Sequence, residues 1–334
     1  MAHTEFRATE TTVSTASALD RLLVGGRVLC DGAMGTMLDA RGISVGRCYD
    51  ELNLSQPETI AFVHAEYLLA GAEIIETNTF GANAYRLMQH GFHDRVRDIN
   101  LAGVCLARQC VAQIGEQLAA EVCVAGAIGP LGVRLQPLSR VSLHQARVAF
   151  AEQILALADG GPGAGVDLLI IETMTSLAEA GEAIHAAQQA APGLRIVVMM
   201  TMDKHGNCLD GASAETAAVR LTELGADAVG CNCSDGPAIV LRVIERMRAV
   251  TGLPLAAMPN AGMPLAVEGR TIYMASPDYM ASFAGRFIRA GVNLIGGCCG
   301  TTPNHTRAMR SAMRAIEAQG PIAAAQGSSS RFGT

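Results

Sequence analysis

Gly165-Val166-Asp167-Leu168-Leu169 carries the phrase on which the fold turns. A glycine, a small residue, an acid and an apolar run recur after a helical pattern. They stand as Gly71-Ala72-Glu73-Ile74-Ile75, as Gly225-Ala226-Asp227-Ala228-Val229 and, with Asn in place of the acid, as Gly291-Val292-Asn293-Leu294-Ile295. Glycine readily takes the left-handed conformation that ends a helix. The apolar run behind it suits a strand buried on both faces, the mark of a parallel sheet. Each phrase therefore reads as the joint between helix and strand in a repeated βα unit.

Filling between the joints gives eight strands, at about 27–31, 73–77, 122–127, 167–172, 195–201, 226–231, 254–258 and 292–296. Helical patterns separate them. Pro57 opens one at a first-turn position, with Ile60, Val63, Tyr67 and Leu68 at helical spacing. Thr302 caps another, with Met309, Met313 and Ile316 on its apolar face. Eight alternating units make a barrel or a doubly wound sheet. Even spacing, and polar residues at the far end of nearly every strand, favour a single-domain α/β fold, the (β/α)8 TIM barrel. It is expected over 20–318, between a flexible segment at 1–19 and a disordered tail at 319–334.

Composition agrees. Of 334 residues 50% are hydrophobic and 17% charged, too apolar for disorder and enough for a large core. A net charge of −6 with no basic stripe argues against nucleic acid and against an anionic membrane surface as partner. Apolar stretches such as Asp167–Ile171 are core strands, far short of a membrane span. The first twenty residues lack the apolar run of a secretory signal, so the expected location is cytoplasmic. There ten cysteines point to metal or catalysis rather than to disulfides. Cys30, Cys123, Cys105 and Cys110 lie in apolar periodic segments and read as core packing. His64 and His305, on helical patterns, read as surface or packing residues, and the 15 methionines as core filling.

Barrel catalysis sits on the loops that leave the strand ends. Those ends carry Asp31-Gly32-Ala33-Met34-Gly35-Thr36, Glu76-Thr77-Asn78-Thr79-Phe80-Gly81, Gly129-Pro130, Glu172-Thr173, Asn232-Cys233, Pro259-Asn260 and Gly296-Gly297-Cys298-Cys299-Gly300. Cys233, Cys298 and Cys299 are three soft ligands suited to Zn²⁺, and three protein ligands leave a fourth position open. The flanking glycines allow the sharp bend that neighbouring ligands require. Cys231 competes with Cys233, because residues one and three of an extended segment share a face; Cys233 is preferred as lying further into the loop. The alternative for Cys298-Cys299 is a pair of core cysteines or a vicinal redox disulfide. Asp31 and Glu172 each close an apolar run, where a carboxylate binds a substrate ammonium, moves a proton or caps the next helix. The turn Gly32-Ala33-Met34-Gly35-Thr36 offers backbone amides to an anion near a helix start.

These segments, with Glu51-Leu52-Asn53 and the run on to Thr301-Thr302-Pro303, resemble the homocysteine S-methyltransferase family in the expected order from about residue 20 to 318. The paired Asn-Cys and Gly-Gly-Cys-Cys-Gly blocks are the specific part. The resemblance implies a barrel whose zinc is bound by Cys233, Cys298 and Cys299 and which methylates the thiol of homocysteine. It implies that Glu172 engages the substrate amino group, helped by Asp31 and Asn232, while Gly32, Ala33 and Thr36 hold its carboxylate. The loop from Thr77 to Asn83 resembles the homocysteine-binding domain of cobalamin-dependent methionine synthase more than the betaine-dependent enzymes. The barrel is expected to stand without folate and cobalamin domains. The donors to consider are methylcobalamin or methyltetrahydrofolate on a separate cobalamin- or folate-binding protein, S-methylmethionine and a betaine-like onium compound.

Overall fold

A computed structural model describes residues 17–114, 117, 121–159, 164–267 and 270–319. Its strands are β1 (Val28–Leu29), β2 (Ile74–Glu76), β3 (Cys123–Ile128), β4 (Leu168–Met174), β5 (Arg195–Met200), β6 (Ala228–Cys233), β7 (Leu255–Pro259), β8 (Leu265–Val267), β9 (Arg270–Ile272) and β10 (Val292–Ile295). Its helices are α1 (Ala18–Leu23), α2 (Gly35–Asp39), α3 (Leu52–Ser55), α4 (Pro57–Leu69), α5 (Ala84–Met88), α6 (Val96–Ile114), α7 (Leu143–Ala158), α8 (Leu177–Ala190), α9 (Ala214–Glu223), α10 (Pro237–Arg248), α11 (Pro277–Arg289) and α12 (Pro303–Glu317). Eight strands pair in parallel in the order β1-β10-β7-β6-β5-β4-β3-β2. A bridge between Cys30 and Ile74 joins the two ends, with Asp31 N–H donating to the Ile74 carbonyl at 3.0 Å. The sheet is a (β/α)8 barrel, and the eight expected strands are its eight staves.

Period-two alternation divides the staves into two faces. Val28, Ile74, Ala125, Leu168, Ile170, Val197, Met199, Ala228 and Leu294 fill the interior, and Ala18 and Leu22 of α1 pack against this inner cluster. Ile75, Val124, Leu169, Ile171, Val198 and Val229 face the helices. Branched and apolar residues on both faces make these strands continuous apolar runs, as seen in the sequence.

The recurring phrase has a structural cause. Its acid or Asn accepts the N–H of a residue near the start of the preceding stave. Glu73 accepts from Leu29 at 3.1 Å, Asp167 from Val124 at 2.7 Å, Asp227 from Ile196 at 2.9 Å and Asn293 from Leu255 at 3.1 Å. The phrase thus marks every second stave and ties it to its neighbour at the end remote from catalysis. Arg21 and Arg310 pair with Glu73, Arg108 with Asp167 and Arg195 with Asp227, which neutralises the acids there. Gly71, Gly225 and Gly291 are left-handed as expected, with φ of 99°, 92° and 82°. Gly165 is not. Its lack of a side chain serves close approach instead, because a Cβ would lie 2.8 Å from the Ala158 carbonyl oxygen.

Other expectations meet the structure unevenly. Pro57 and Pro303 begin α4 and α12, and Thr302 forms a capping box with His305. His64 is fully buried on α4, and burial lowers its pKa to about 4, so it packs as a neutral ring. Cys30, Cys110 and Cys123 are buried, but Cys105 is exposed on α6, where its helical position faces outward. The antiparallel hairpin β8–β9, inserted between β7 and α11, was not foreseen; its Leu265, Val267 and Ile272 are exposed and gave no alternating in-out signal. The terminal stretches 1–16 and 320–334 lie outside the described residues. Among the described residues no helix is long and apolar enough to cross a membrane.

Candidate active site

The expected site residues gather at the carboxyl ends of the staves. Cys298 Sγ lies 3.3 Å from Cys233 Sγ, which lies 3.9 Å from Cys299 Sγ, and all three sulfurs fall within 4.8 Å of one another. All three cysteines are free. Four-coordinate zinc with bonds of about 2.3 Å would set its sulfur ligands roughly 3.8 Å apart. The measured separations of 3.3 and 3.9 Å bracket that edge length, and the three soft donors suit the ion.

Backbone geometry separates Cys233 from Cys231. Ala228 faces the barrel interior and Cys231 faces the helices, packed in the outer core. Strict alternation would send Cys233 outward as well. Instead Cys233 takes φ 55° and Ser234 φ 57°, left-handed values that break the pleat and turn the sulfur into the mouth. For residues other than glycine this costs on the order of 1–2 kcal/mol each. The loop offsets it with hydrogen bonds: Asn260 Nδ2 donates to the Ser234 carbonyl at 2.8 Å, and Met202 N–H to Ser234 Oγ at 3.1 Å. Cys231 stays a protonated core thiol, pushed up to about 12 by burial.

The other two thiols sit on a turn locked to its neighbours. Cys298 N–H donates to the Pro259 carbonyl at 2.9 Å, Gly297 N–H to that of Asp31 at 3.0 Å, and Ala261 N–H to that of Cys299 at 2.9 Å. Thr301 Oγ1 donates to the Cys298 carbonyl at 2.7 Å and accepts from Ala33 N–H at 3.1 Å. Gly32 must be glycine here, since a Cβ would come within 2.6 Å of Thr301 Oγ1. The turns after β1 and β10 are thus one interlocked unit. Within the trio, S–H groups of Cys233 and Cys298 serve the sulfur of Cys299, which is drawn down to about 3, while Cys298 is driven well above the ordinary thiol range.

Beside the thiols lies a group of buried acids. Leu168, Ile170 and Glu172 share the inner face of β4, so the pleat aims Glu172 inward. Burial first, then repulsion from Cys299 and Asp31, raises Glu172 to about 8. Asp31, 3% exposed, is raised to about 7 by burial, although Glu76 N–H donates to its Oδ2 at 2.9 Å. Asn232, on the inner face of β6, donates through Nδ2 to Glu172 Oε2 at 2.7 Å and Thr173 Oγ1 at 2.8 Å, and accepts from Thr173 N–H at 2.8 Å. Its amide is committed to holding Glu172 and the left-handed Thr173 (φ 59°) in place.

In the turn after β1, Ala33 N–H is taken by Thr301, and Thr36 Oγ1 accepts from Gly300 N–H at 3.0 Å, which leaves the Thr36 hydroxyl hydrogen free to donate. Leu38 N–H is the first amide of α2 to close, onto the Met34 carbonyl. The Gly35 and Thr36 amides before it precede the first helical bond, the position from which helix-start amides can serve an anion.

Two residues here were not singled out as site residues from the sequence. Glu76 stands two positions after the inward Ile74 and so faces the same interior; applying that alternation to β2 would have found it. Tyr273, just beyond β9, packs its ring on Gly300 and reaches Cys299, and no local sequence pattern announces this contact.

A parallel barrel with a thiol trio, buried acids and open amides at its carboxyl-terminal rim has the make-up of an enzyme active site. Residues 28–313 match the family model described as homocysteine S-methyltransferase, and the chain belongs to that family. It is 32% identical over 309 residues to the methionine synthase of Mycobacterium leprae, and 32% identical over 308 residues to that of Mycobacterium tuberculosis. Those alignments take in 88% and 89% of this chain but 24% and 25% of the relatives, so the chain spans about a quarter of their length. Among solved structures, the metallated form of the homocysteine methyltransferase MmuM from Escherichia coli is similar with a TM-score of 0.74 at 26% identity. That match covers 88% of this chain and 99% of that one. The apo form of the same enzyme matches with a TM-score of 0.68 at 27% identity, covering 89% and 100%.

Proposed function

We propose that this chain transfers a methyl group from an activated donor to the thiol of L-homocysteine, yielding methionine, at a zinc ion held by Cys233, Cys298 and Cys299. The single observation that carries the reading is the meeting of three free thiols within 4.8 Å of one another beside a group of acids that no basic side chain among the described residues pairs. The match to a metallated homocysteine methyltransferase over nearly the whole of that enzyme supports it.

Zinc, when bound, supplies the Lewis acidity that strips the proton from a substrate thiol at neutral pH. The protein does the rest by placement. Glu172 and Asp31 receive the ammonium of the acceptor, whose positive charge offsets the burial that raises both acids and favours their ionised forms. The open amides at the start of α2, with the Thr36 hydroxyl, receive its carboxylate. Held at both ends, the acceptor has its thiol fixed for in-line attack on the donor methyl, and the entropy of alignment is spent in binding. Asn232 keeps Glu172 oriented, and the Thr301 bridge keeps the thiol turn and the carboxylate turn in register.

The donor is proposed to come from methylcobalamin or methyltetrahydrofolate on a separate cobalamin- or folate-binding protein, from S-methylmethionine or from a betaine-like onium compound. Each places a methyl on a good leaving group. The likeness to methionine synthases favours the first two for trial. The test is methionine formation from homocysteine with each donor in turn, on reduced, zinc-replete protein, with and without chelator. Methionine that appears with at least one donor and is abolished by chelator is the expected result. None with any donor defeats the assignment.

A further inference from the structure

The acid group at the mouth has three members, and the function proposed above uses only two. Glu76 Oε1 is buried without a hydrogen-bond partner, whereas Asp31 accepts from Glu76 N–H and the Cys30 thiol, and Glu172 from Asn232. The Glu76 carboxylate lies within 4.8 Å of the Asp31 carboxylate and the Cys30 sulfur, and it feels the charges of both Glu172 and Asp31. Among the described residues no basic side chain pairs with any of the three; the ion pairs of this chain fall on Glu73, Asp167, Asp227 and others away from the mouth. Cys30, the nearest other titratable group, is a protonated thiol and offers no positive charge.

Three carboxylates without a cation, Asp31 and Glu172 buried and Glu76 part-buried with its Oε1 enclosed, make a costly arrangement, stable only when protons or an external cation neutralise them. A primary ammonium presents three N–H donors, one for each acid. Resting on the reading that the acceptor is an amino-acid thiol, we propose that Glu76 is the third arm of the ammonium pocket and a specificity-determining residue for a primary amine. Asp31 and Glu172 approach the nitrogen from β1 and β4, and Glu76 from β2 closes the remaining side. An acceptor lacking the amine leaves the group without its cation, and an N-methylated one cannot supply three donors. The site therefore discriminates by hydrogen bonds left unmade, the strongest form of rejection available to a polar pocket.

The test compares wild type with Glu76→Ala and Glu76→Gln, using homocysteine and its desamino analogue 4-mercaptobutanoate as acceptors under one donor. Loss of a hydrogen bond to a charged group predicts a KM for homocysteine about ten- to a hundredfold higher in Glu76→Ala. The change in kcat is much smaller, and Glu76→Gln, which keeps one acceptor oxygen, falls between. The KM for the desamino acceptor stays as in wild type, because the lost contact is to a group it lacks. Calorimetry on zinc-free protein gives a second readout: methionine binding weakens in Glu76→Ala by the same order, while 4-(methylthio)butanoate binding does not. Equal losses for amine and desamino compounds, or homocysteine and methionine unaffected by either variant, overturn the proposal. Should none of the donors support methylation of homocysteine by the wild type, the proposed reaction fails, and the calorimetric comparison still decides the role of Glu76.

Discussion

Asn232 reaches across the barrel from β6 to donate a 2.7 Å hydrogen bond to Glu172 at the end of β4, and the same nitrogen stands 3.8 Å from the sulfur of Cys298. One fully buried amide thus links the acid proposed to hold the substrate amine to a thiol proposed to hold the metal. Asn232→Ala leaves Glu172 without its orienting donor. Losing a hydrogen bond to a charged acceptor predicts a KM for homocysteine about tenfold or more above wild type. Zinc stoichiometry should stay at one, because the three sulfurs remain. Steady-state kinetics together with metal analysis checks this, and an unchanged KM would show that Asn232 does not position Glu172.

Stability should depend on pH through the same acids. Asp31 and Glu172 titrate at about 7 and about 8 in the folded, ligand-free chain, raised mainly by burial, against about 4 when unfolded. Between those limits the folded chain binds more protons than the unfolded one, so stability is greatest near the acid end and falls as pH rises through 7 and 8. Thermal denaturation of metal-stripped protein should show Tm declining from about pH 5.5 to about pH 8.5, with a shallower decline in Glu172→Gln. A Tm that climbs over this interval in wild type, or slopes that coincide, would contradict the assignment.

At the opposite end of the barrel, Asp167→Ala should cost stability and nothing else. The variant strips a 2.7 Å partner from Val124 N–H and leaves Arg108 without its ion pair. A buried donor left unmet costs about 1–3 kcal/mol, which lowers Tm by roughly 2–4 °C per kcal/mol in a domain of this size. Differential scanning calorimetry reads the loss. Homocysteine KM and zinc content should match wild type, since the residue stands at the face remote from catalysis; an equal drop in zinc content would break that separation.

The fold was legible because the phrase Gly, small residue, acid, apolar run is dictated by geometry at every second stave. The acid is required by an unpaired strand N–H, as Asp167 and Asp227 show, and selection for that bond leaves a visible period in the chain. The thiol trio was legible too, because neighbouring cysteines between glycines have few other uses. Harder to read was anything that depends on a local break in regularity. Nothing in the order Cys231-Asn232-Cys233 announces a left-handed residue at 233, and period two alone would have placed both sulfurs on one face. Glu76 was hidden differently: its inward direction follows from Ile74, but its neighbours Asp31 and Glu172 come from staves far apart in the chain. Exposed hairpins such as β8–β9, packed on little and patterned by no core, left no signal at all.

Metal analysis of single cysteine variants bears most directly on the central claim. Purified reduced wild type should bind one zinc ion per chain, and Cys233→Ser, Cys298→Ser and Cys299→Ser should each abolish tight binding, while Cys231→Ser and Cys30→Ser retain it. Loss of zinc on replacing Cys231, or full retention on replacing Cys233, would contradict the site described here.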